Sequence, residues 1–168
     1  MNNQVTIIRR WIIFFMISLF ISGLTAMPVE AELEFLSRCF TQGTMLDAWI
    51  EKVYLAVADT NNQYPFLFYG YDWLAFAHFV LAILFIGPYR HPVRNKWVIE
   101  FGMIACLLII PFAFIAGHAR GIPWGWRFID CSFGLIGIIP LSICLVKIHD
   151  LERKQKEEKI TEAEFSIV

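Results

Sequence analysis

The chain has 168 residues and a formal net charge of -1, and 58% of its residues are hydrophobic. Soluble domains contain about 45–50% apolar residues, so this composition indicates a membrane protein. No basic patch is interleaved with aromatic residues outside the membrane flanks, which argues against nucleic-acid binding. The length allows one compact domain.

Four apolar stretches predict four transmembrane helices, because a lipid bilayer leaves only helices and closed barrels able to satisfy every backbone hydrogen bond. The predicted spans are residues 11–27, 72–87, 97–117 and 126–146. They predict an all-α fold, a polytopic transmembrane four-helix bundle with one amphipathic helix between the first two spans. Pro111 and Pro140 predict kinks in the last two spans.

The first stretch follows Arg9 and Arg10 and ends near small residues, so it has features of a signal peptide as well as of a span. Its length favours an uncleaved helix, and cleavage would leave three spans in the same orientation. The chain then divides into four segments. These are a first helix or signal peptide (1–27), an outer, periplasmic segment (28–70), a three-helix transmembrane core (71–149) and a charged cytoplasmic tail (150–168).

Basic residues alternate between the two sides of the predicted bundle. Ten of the fourteen Lys and Arg residues lie at the N-terminus, in the loop between the second and third spans, and from Lys147 onward. The positive-inside rule therefore predicts that both termini are cytoplasmic.

The outer segment contains the predicted amphipathic helix. Thr44 and Asp47 have the spacing of a capping box, with Asp in place of the usual Glu or Gln. The apolar residues that follow recur at helical spacing: Leu46, Trp49, Ile50, Val53, Tyr54 and Val57. Such a helix lies either on the outer leaflet or across the top of the bundle.

Two flanking regions each have two interpretations. The aromatic run over residues 64–76 predicts a belt at the level of the lipid headgroups, with an aromatic ligand pocket as the alternative. The charged tail predicts a solvated helix, with a docking surface for a cytoplasmic partner as the alternative.

Ionisable residues within or beside the spans are the candidate functional residues, because charge at membrane depth is costly. The candidate polar cluster, in the outer half of the bundle, comprises Asp72, His78, His118, Arg120, Arg127 and Asp130. A purely structural alternative pairs Arg127 with Asp130, which share a helix face. Glu100 is an isolated intramembrane acid near the inner end, where Arg94 or Lys96 can pair with it.

Cofactor chemistry has little support. The four cysteines form no metal-binding spacing, and a Cys39–Cys131 bridge stays open because both residues fall toward the outer side. His78 and His118 are at different predicted depths, which argues against axial ligation of a haem. No catalytic motif is present. We therefore expect no catalytic residue, no metal site and no cofactor.

The stretch YGYDWLAFAHFVLAILFIGPYRHPVRNKWVIEFGMIAC, with the later IPWGWRFIDCSFGLIGIIPL, resembles a group of small, uncharacterised (hypothetical) bacterial multi-pass membrane proteins. The resemblance covers about residues 64–150. The resemblance implies a membrane protein of the bacterial inner membrane. It implies no activity and no catalytic residues.

The leading functional hypothesis is a non-enzymatic accessory or assembly subunit of a membrane complex. Its expected partners are the lipid bilayer and either another membrane protein or further copies of the chain, and it is expected to bind lipid or a small ligand at its outer aromatic surface. The alternatives are a small channel or transporter component that uses the polar cluster, and a redox subunit that carries haem or quinone.

Overall fold

The computed structural model describes residues 2–39 and 43–165, and the predictions for residues 1, 40–42 and 166–168 lie outside them. The described chain is helical apart from short turns and contains no strand. Its helices are α1 (Asn2–Ala26), α2 (Val29–Cys39), α3 (Met45–Gln63), α4 (Tyr69–Leu84), α5 (Ile86–Arg90), α6 (Lys96–Ala119) and α7 (Trp124–Phe165), with a 3-10 turn at Pro65–Phe68 before α4.

Four segments are long and apolar enough to cross a membrane: Asn3–Ala26, Pro65–Arg90, Lys96–Ala119 and Trp124–Glu162. The predicted polytopic four-helix bundle is therefore confirmed. Helix α7 contains the fourth predicted span, residues 126–146, and continues through the charged tail, which was predicted to be a solvated helix. It has 42 residues, about 63 Å of helical rise, which is about twice the thickness of a bilayer core. The charged tail is thus a continuation of a membrane helix.

The second span is interrupted near one end. The first helix of this span, α4, ends at Leu84, and α5 follows after Phe85, whose N–H bonds to the carbonyl of Ala82 at 3.3 Å. Pro88 lacks an N–H and cannot bond to the carbonyl of Leu84, so the regular helical ladder cannot continue through this point. Pro111 and Pro140, by contrast, lie within the continuous helices α6 and α7.

The helices pack in the order α4, α1, α7, α6, so that α4 packs mainly on α1 and the closest pair is α6 with α7. Outside the spans, α2 packs on α3, and α3 packs on the 3-10 turn before α4. The main contacts of this helical hairpin are therefore with the α1–α4 side of the bundle, rather than across α6 and α7. Helix α2 was not predicted from the sequence.

The start of α3 follows the predicted capping chemistry. Thr44 has extended backbone angles, and its hydroxyl accepts a hydrogen bond from the N–H of Asp47 at 3.0 Å. The Asp47 carboxylate accepts one from the N–H of Gly43 at 3.2 Å, one residue before the cap. Gly43 has a φ of +112°, which only glycine adopts without strain.

One end of the bundle is closed by a hydrophobic core. We call it the basic end, because Arg9, Arg10, Arg90 and Lys96 lie there. The nearly fully buried core side chains include Ile8, Ile12, Phe85, Ile99, Leu141 and Ile148. The opposite end, where residues 120–123 connect α6 to α7, is called the turn end. All four cysteines are free, so Cys39 and Cys131 are not bridged.

Ion pairs tie the basic end together. Lys96 Nζ lies 3.0 Å from Glu152 on α7 and 3.8 Å from Glu100 on its own helix. Of the two cations considered as partners for Glu100, the structure thus uses Lys96.

Candidate functional site

A cavity of about 700 Å³ lies between α1, α6 and α7 in the half of the bundle nearest the turn end. We call it the turn-end cavity. Most of its wall is apolar and includes Phe14 and Phe15 from α1, Ile109 and Phe112 from α6, and Phe133 and Ile136 from α7. A volume of this size is typical of sites for drug-sized ligands.

Three members of the predicted polar cluster line this cavity: His78, Arg120 and Asp130. Ser18 and Ser22 from α1 also contribute to the wall. The cavity therefore combines long apolar walls with a few ionisable and hydroxyl groups, the composition typical of a binding site.

Packing at two glycines shows that His78 and Asp130 lie at similar heights. A Cβ on Gly23 would lie 3.0 Å from His78 Cβ, and a Cβ on Gly137 would lie 3.4 Å from Phe15 Cε2. Phe15 of α1 and Gly137 of α7 therefore lie at one height. Gly23 is eight residues from Phe15 toward the turn end, and Asp130 is seven residues from Gly137 in the same direction. Those separations correspond to about 10–12 Å of helical rise, so His78 and Asp130 are level to within one turn.

Arg120 lies nearer the turn end. A Cβ on Gly117 would lie 2.9 Å from Arg127 Cδ, so these two residues are level. Arg120 is three residues beyond Gly117, and Asp130 is three residues below Arg127. Arg120 is therefore about 9 Å above Asp130. Below Asp130 the wall continues to Pro140, about 15 Å further toward the basic end.

The imidazole of His78 has a defined hydrogen-bonding role. Its Nδ1 lies 2.8 Å from the carbonyl oxygen of Leu74 on the preceding turn. A carbonyl only accepts hydrogen bonds, so Nδ1 is the donor, and the neutral ring leaves Nε2 as an acceptor. His78 is half-buried and lies against Gly23 of α1.

Asp130 makes no hydrogen bond or ion pair with the part of the chain that the structure describes. The alternative in which Arg127 neutralises it is not realised. Arg127 is 6% exposed, its Nε donates to the carbonyl of Ile122 at 2.8 Å, and its guanidinium lies 4.7 Å from the ring of Trp124. Arg127 thus holds the α6–α7 turn, and Asp130 remains available on the cavity wall.

The other two members of the predicted cluster do not line the cavity. Asp72 lies in the first turn of α4 and is exposed, and His118 is exposed in the last turn of α6. The structure therefore brings three of the six residues to one cavity and places Arg127 beside it. Within the described ranges, no group of three or more His, Cys, Asp and Glu residues could hold a metal ion.

The aromatic run has an exposed side and a side that lines a small cavity. Tyr69, Trp73 and Phe76 are exposed and form a row of edge-to-face contacts with centroid distances of 5.9 and 5.6 Å. On another side, Phe68 and Tyr71 line a smaller cavity of about 390 Å³ against α3. This second cavity has Lys52 as its one ionisable amine on α3 and no carboxylate among its described lining residues.

The α1 wall of the turn-end cavity was not predicted. Ser18 and Ser22 were the available signal, because their spacing of four residues places both hydroxyls on one face of α1. Ser18 donates to the carbonyl of Phe14 at 2.9 Å, so its oxygen can still accept a hydrogen bond.

These features define a class: a polytopic all-α membrane protein with an intramembrane cavity that is apolar except toward one end. Comparison with known proteins adds no relative, since no family model, no curated protein and no solved structure matches the chain significantly.

Proposed function

We propose that this protein is a small, non-enzymatic protein of the bacterial inner membrane that binds a lipid-like, amphipathic molecule in the turn-end cavity. In this proposal it serves a membrane complex as an accessory or assembly subunit. The observation that carries the proposal is the cavity itself, whose apolar wall ends in a level that contains His78 and Asp130. An amphipathic molecule has the same order of apolar and polar parts.

The location of the cavity supports a ligand that enters from the bilayer. The cavity spans about 15 Å from Asp130 to Pro140, roughly half of a bilayer core, which is the depth of one leaflet. Because α4 packs mainly on α1, only His78 of α4 reaches the cavity wall. The side of the cavity that faces α4 is therefore the route by which we expect a lipid chain to enter from the bilayer.

The proposed orientation follows from charge. Arg9, Arg10, Arg90 and Lys96 lie at the basic end, and the charged extension of α7 leaves the bundle on the same side. The positive-inside rule assigns this side to the cytoplasm, so both termini are cytoplasmic and α2 and α3 are periplasmic. A membrane-impermeant maleimide tests this assignment on intact cells. In variants with one accessible cysteine, Cys39 should react and a Gln155→Cys residue should not.

Exposed small residues support the proposed role as a subunit. Gly102, Gly134 and Gly137 are used in contacts within the bundle. Ala77 on α4 and Ala105 on α6 instead lie on exposed surfaces. Small residues allow close approach of membrane helices, so these two positions are available to a partner helix or a second copy.

The decisive experiment is mass spectrometry of the tagged native protein, purified in mild detergent, for both proteins and lipids. We expect a stoichiometric protein partner and one retained lipid-like molecule. Ala116→Leu, on the cavity wall, should reduce lipid retention, while Ala105→Leu on the exposed face of the same helix should leave it unchanged. A preparation without partner or lipid would overturn the proposal.

A transport path is the competing function, since His78 and Asp130 are level and titratable. Against it, the bundle below the cavity is closed by Phe85, Ile99, Leu141 and their buried neighbours. Among the described residues, this buried layer contains no carboxylate, imidazole or amine that could carry an ion across. An Asp130→Asn variant should therefore leave proton leak through reconstituted vesicles unchanged, and a change in flux would favour the path.

A further inference from the structure

We propose that the ligand of the turn-end cavity is a single-chain amphiphile with a hydrogen-bond donor between its chain and an anionic head. This is the arrangement of a lysophospholipid, in which a free glycerol hydroxyl separates an acyl chain from a phosphate. The inference rests on the proposed function, because it assigns a chemical class to the lipid-like molecule proposed above.

The size of the cavity indicates one chain. A volume of about 700 Å³ matches sites that enclose a drug-sized molecule. Helices α1, α6 and α7 approach one another closely at Gly137, since a Cβ there would lie 3.4 Å from Phe15 Cε2 and 2.8 Å from Cys106 Sγ. A second chain of similar length would have to remain outside, among the bilayer lipids.

The middle level of the cavity offers acceptors. When its ring is neutral, His78 presents Nε2 as an acceptor, because its Nδ1–H donates to the carbonyl of Leu74. Asp130 at the same height has no partner in the described chain, and a carboxyl group has an accepting oxygen in either protonation state. Two acceptors at one height call for a donor on the ligand, such as a hydroxyl, at the point where its chain ends.

The upper level offers a cation. Arg120 lines the cavity about 9 Å nearer the turn end than Asp130, and it makes no ion pair in the described chain. Guanidinium groups bind phosphate with two parallel hydrogen bonds. From the basic end toward the turn end, the ligand should therefore present its chain, then a hydrogen-bond donor, then an anionic group. A lipid with its ammonium beyond its phosphate places a cation near Arg120, which disfavours it.

Each level can be tested with a defined probe added to the protein in nanodiscs, with bound probe measured by native mass spectrometry. The reference probe is 1-palmitoyl lysophosphatidic acid. Hexadecyl phosphate lacks the hydroxyl, monopalmitoylglycerol lacks the phosphate, dipalmitoyl phosphatidic acid has a second chain esterified to that hydroxyl, and inorganic phosphate has no chain. We expect the reference probe to bind at least about tenfold more tightly than each of the others. For the probes that lack the hydroxyl or the phosphate, this is the effect of one lost charge-assisted hydrogen bond.

Two variants should alter these preferences in different ways. Asp130→Leu should remove the preference for the reference probe over hexadecyl phosphate and retain the preference over monopalmitoylglycerol. Arg120→Gln should have the opposite effect. Asp72→Asn and Arg90→Gln, which lie outside the cavity wall, should change neither ratio. A variant that only impairs folding weakens all probes together, so the two ratios report the proposed contacts.

The outcomes separate this inference from the proposed function. If dipalmitoyl phosphatidic acid or hexadecyl phosphate binds as tightly as the reference probe, and Ala116→Leu abolishes that binding, the cavity binds lipid but the assigned class is wrong. If inorganic phosphate alone competes fully, the site is an anion site at Arg120. If Ala116→Leu changes the binding of no probe, both the assigned class and the proposed cavity function fail.

Discussion

The two ends of the bundle are built from the same helices and differ in how they are filled. At the basic end, Phe85 and Leu141 occupy the space left by Gly102, where a Cβ would lie 2.9 Å from Phe85 and 3.1 Å from Leu141. At the turn end, α4 contributes only His78 to the cavity wall, and the space between α1, α6 and α7 remains open. The two ends differ in the side chain that the second span places between the other helices, which is Phe85 at the basic end and His78 at the turn end.

Charges follow the same division. At the basic end, Lys96 pairs with Glu152 and with Glu100, and Arg9 donates to the backbone carbonyl of Tyr89. At the turn end, Arg127 bonds to a backbone carbonyl, and Asp130 and Arg120 line the cavity without an ion pair in the described chain. One end therefore has the character of a folding core, and the other that of a binding site.

The largest predicted effect is on the filled end. Phe85→Ala removes a side chain that is 2% exposed and should lower the free energy of unfolding by about 3–5 kcal/mol. Phe112→Ala, on the cavity wall and 72% exposed, should have a much smaller effect. Unfolding by sodium dodecyl sulfate in mild-detergent micelles measures both. Equal losses would contradict the division between the two ends.

The seam between α6 and α7 should be nearly as sensitive. A Cβ on Gly134 would lie 2.5 Å from the backbone oxygen of Cys106, so Gly134→Ala forces the two helices apart. Overpacking of this kind costs about 1–3 kcal/mol, and contact with backbone places this case near the upper limit.

Gly125→Ala is the matched control for the seam, since a Cβ there meets nothing within 4 Å. That change should leave stability unchanged or raise it slightly, because alanine is the better helix former. The same unfolding titration compares the two variants, and a Gly134→Ala protein as stable as Gly125→Ala would show that the helices are not in close contact.

Arg127 should stabilise the turn between α6 and α7, beside the turn-end cavity. In Arg127→Lys the charge remains, but the Nε bond to Ile122 at 2.8 Å is lost, which should cost about 1.5 kcal/mol. Amide hydrogen exchange should increase in residues 120–123 while the core near Ile99 stays protected. Arg120→Lys, which breaks no contact observed in the described chain, should change neither.

Local chemistry explains which parts of this fold could be predicted. The spans follow from hydropathy, and the Thr44 cap follows from a side chain that bonds to its own helix. The predicted pairing of Arg127 with Asp130 is wrong for an equally local reason, which residue spacing alone does not show. Long side chains on a helix lean toward its N-terminus, so Arg127 reaches back to Ile122 and Trp124, away from Asp130.

The cavity could not be predicted, because it depends on the relative heights of helices that are distant in sequence. The contacts of Gly23 with α4 and of Gly137 with α1 fix the heights of His78 and Asp130 in the folded bundle. No pattern within a single span records such a contact. Sequence also could not show that Asp72 and His118, two members of the predicted polar cluster, lie outside the cavity.

The smallest effect should come from the ion pairs at the filled end. Lys96→Gln removes the 3.0 Å contact with Glu152 that links α6 to α7, and the 3.8 Å contact with Glu100. Since these side chains are partly exposed, solvent screens the pairs and the loss of stability should be at most about 1 kcal/mol. It should shrink further in high salt. Lys147→Gln, whose amine forms no pair in the described chain, controls for the loss of one charge. A loss as large as that of Phe85→Ala would mean that charge pairing, rather than apolar packing, closes this end of the bundle.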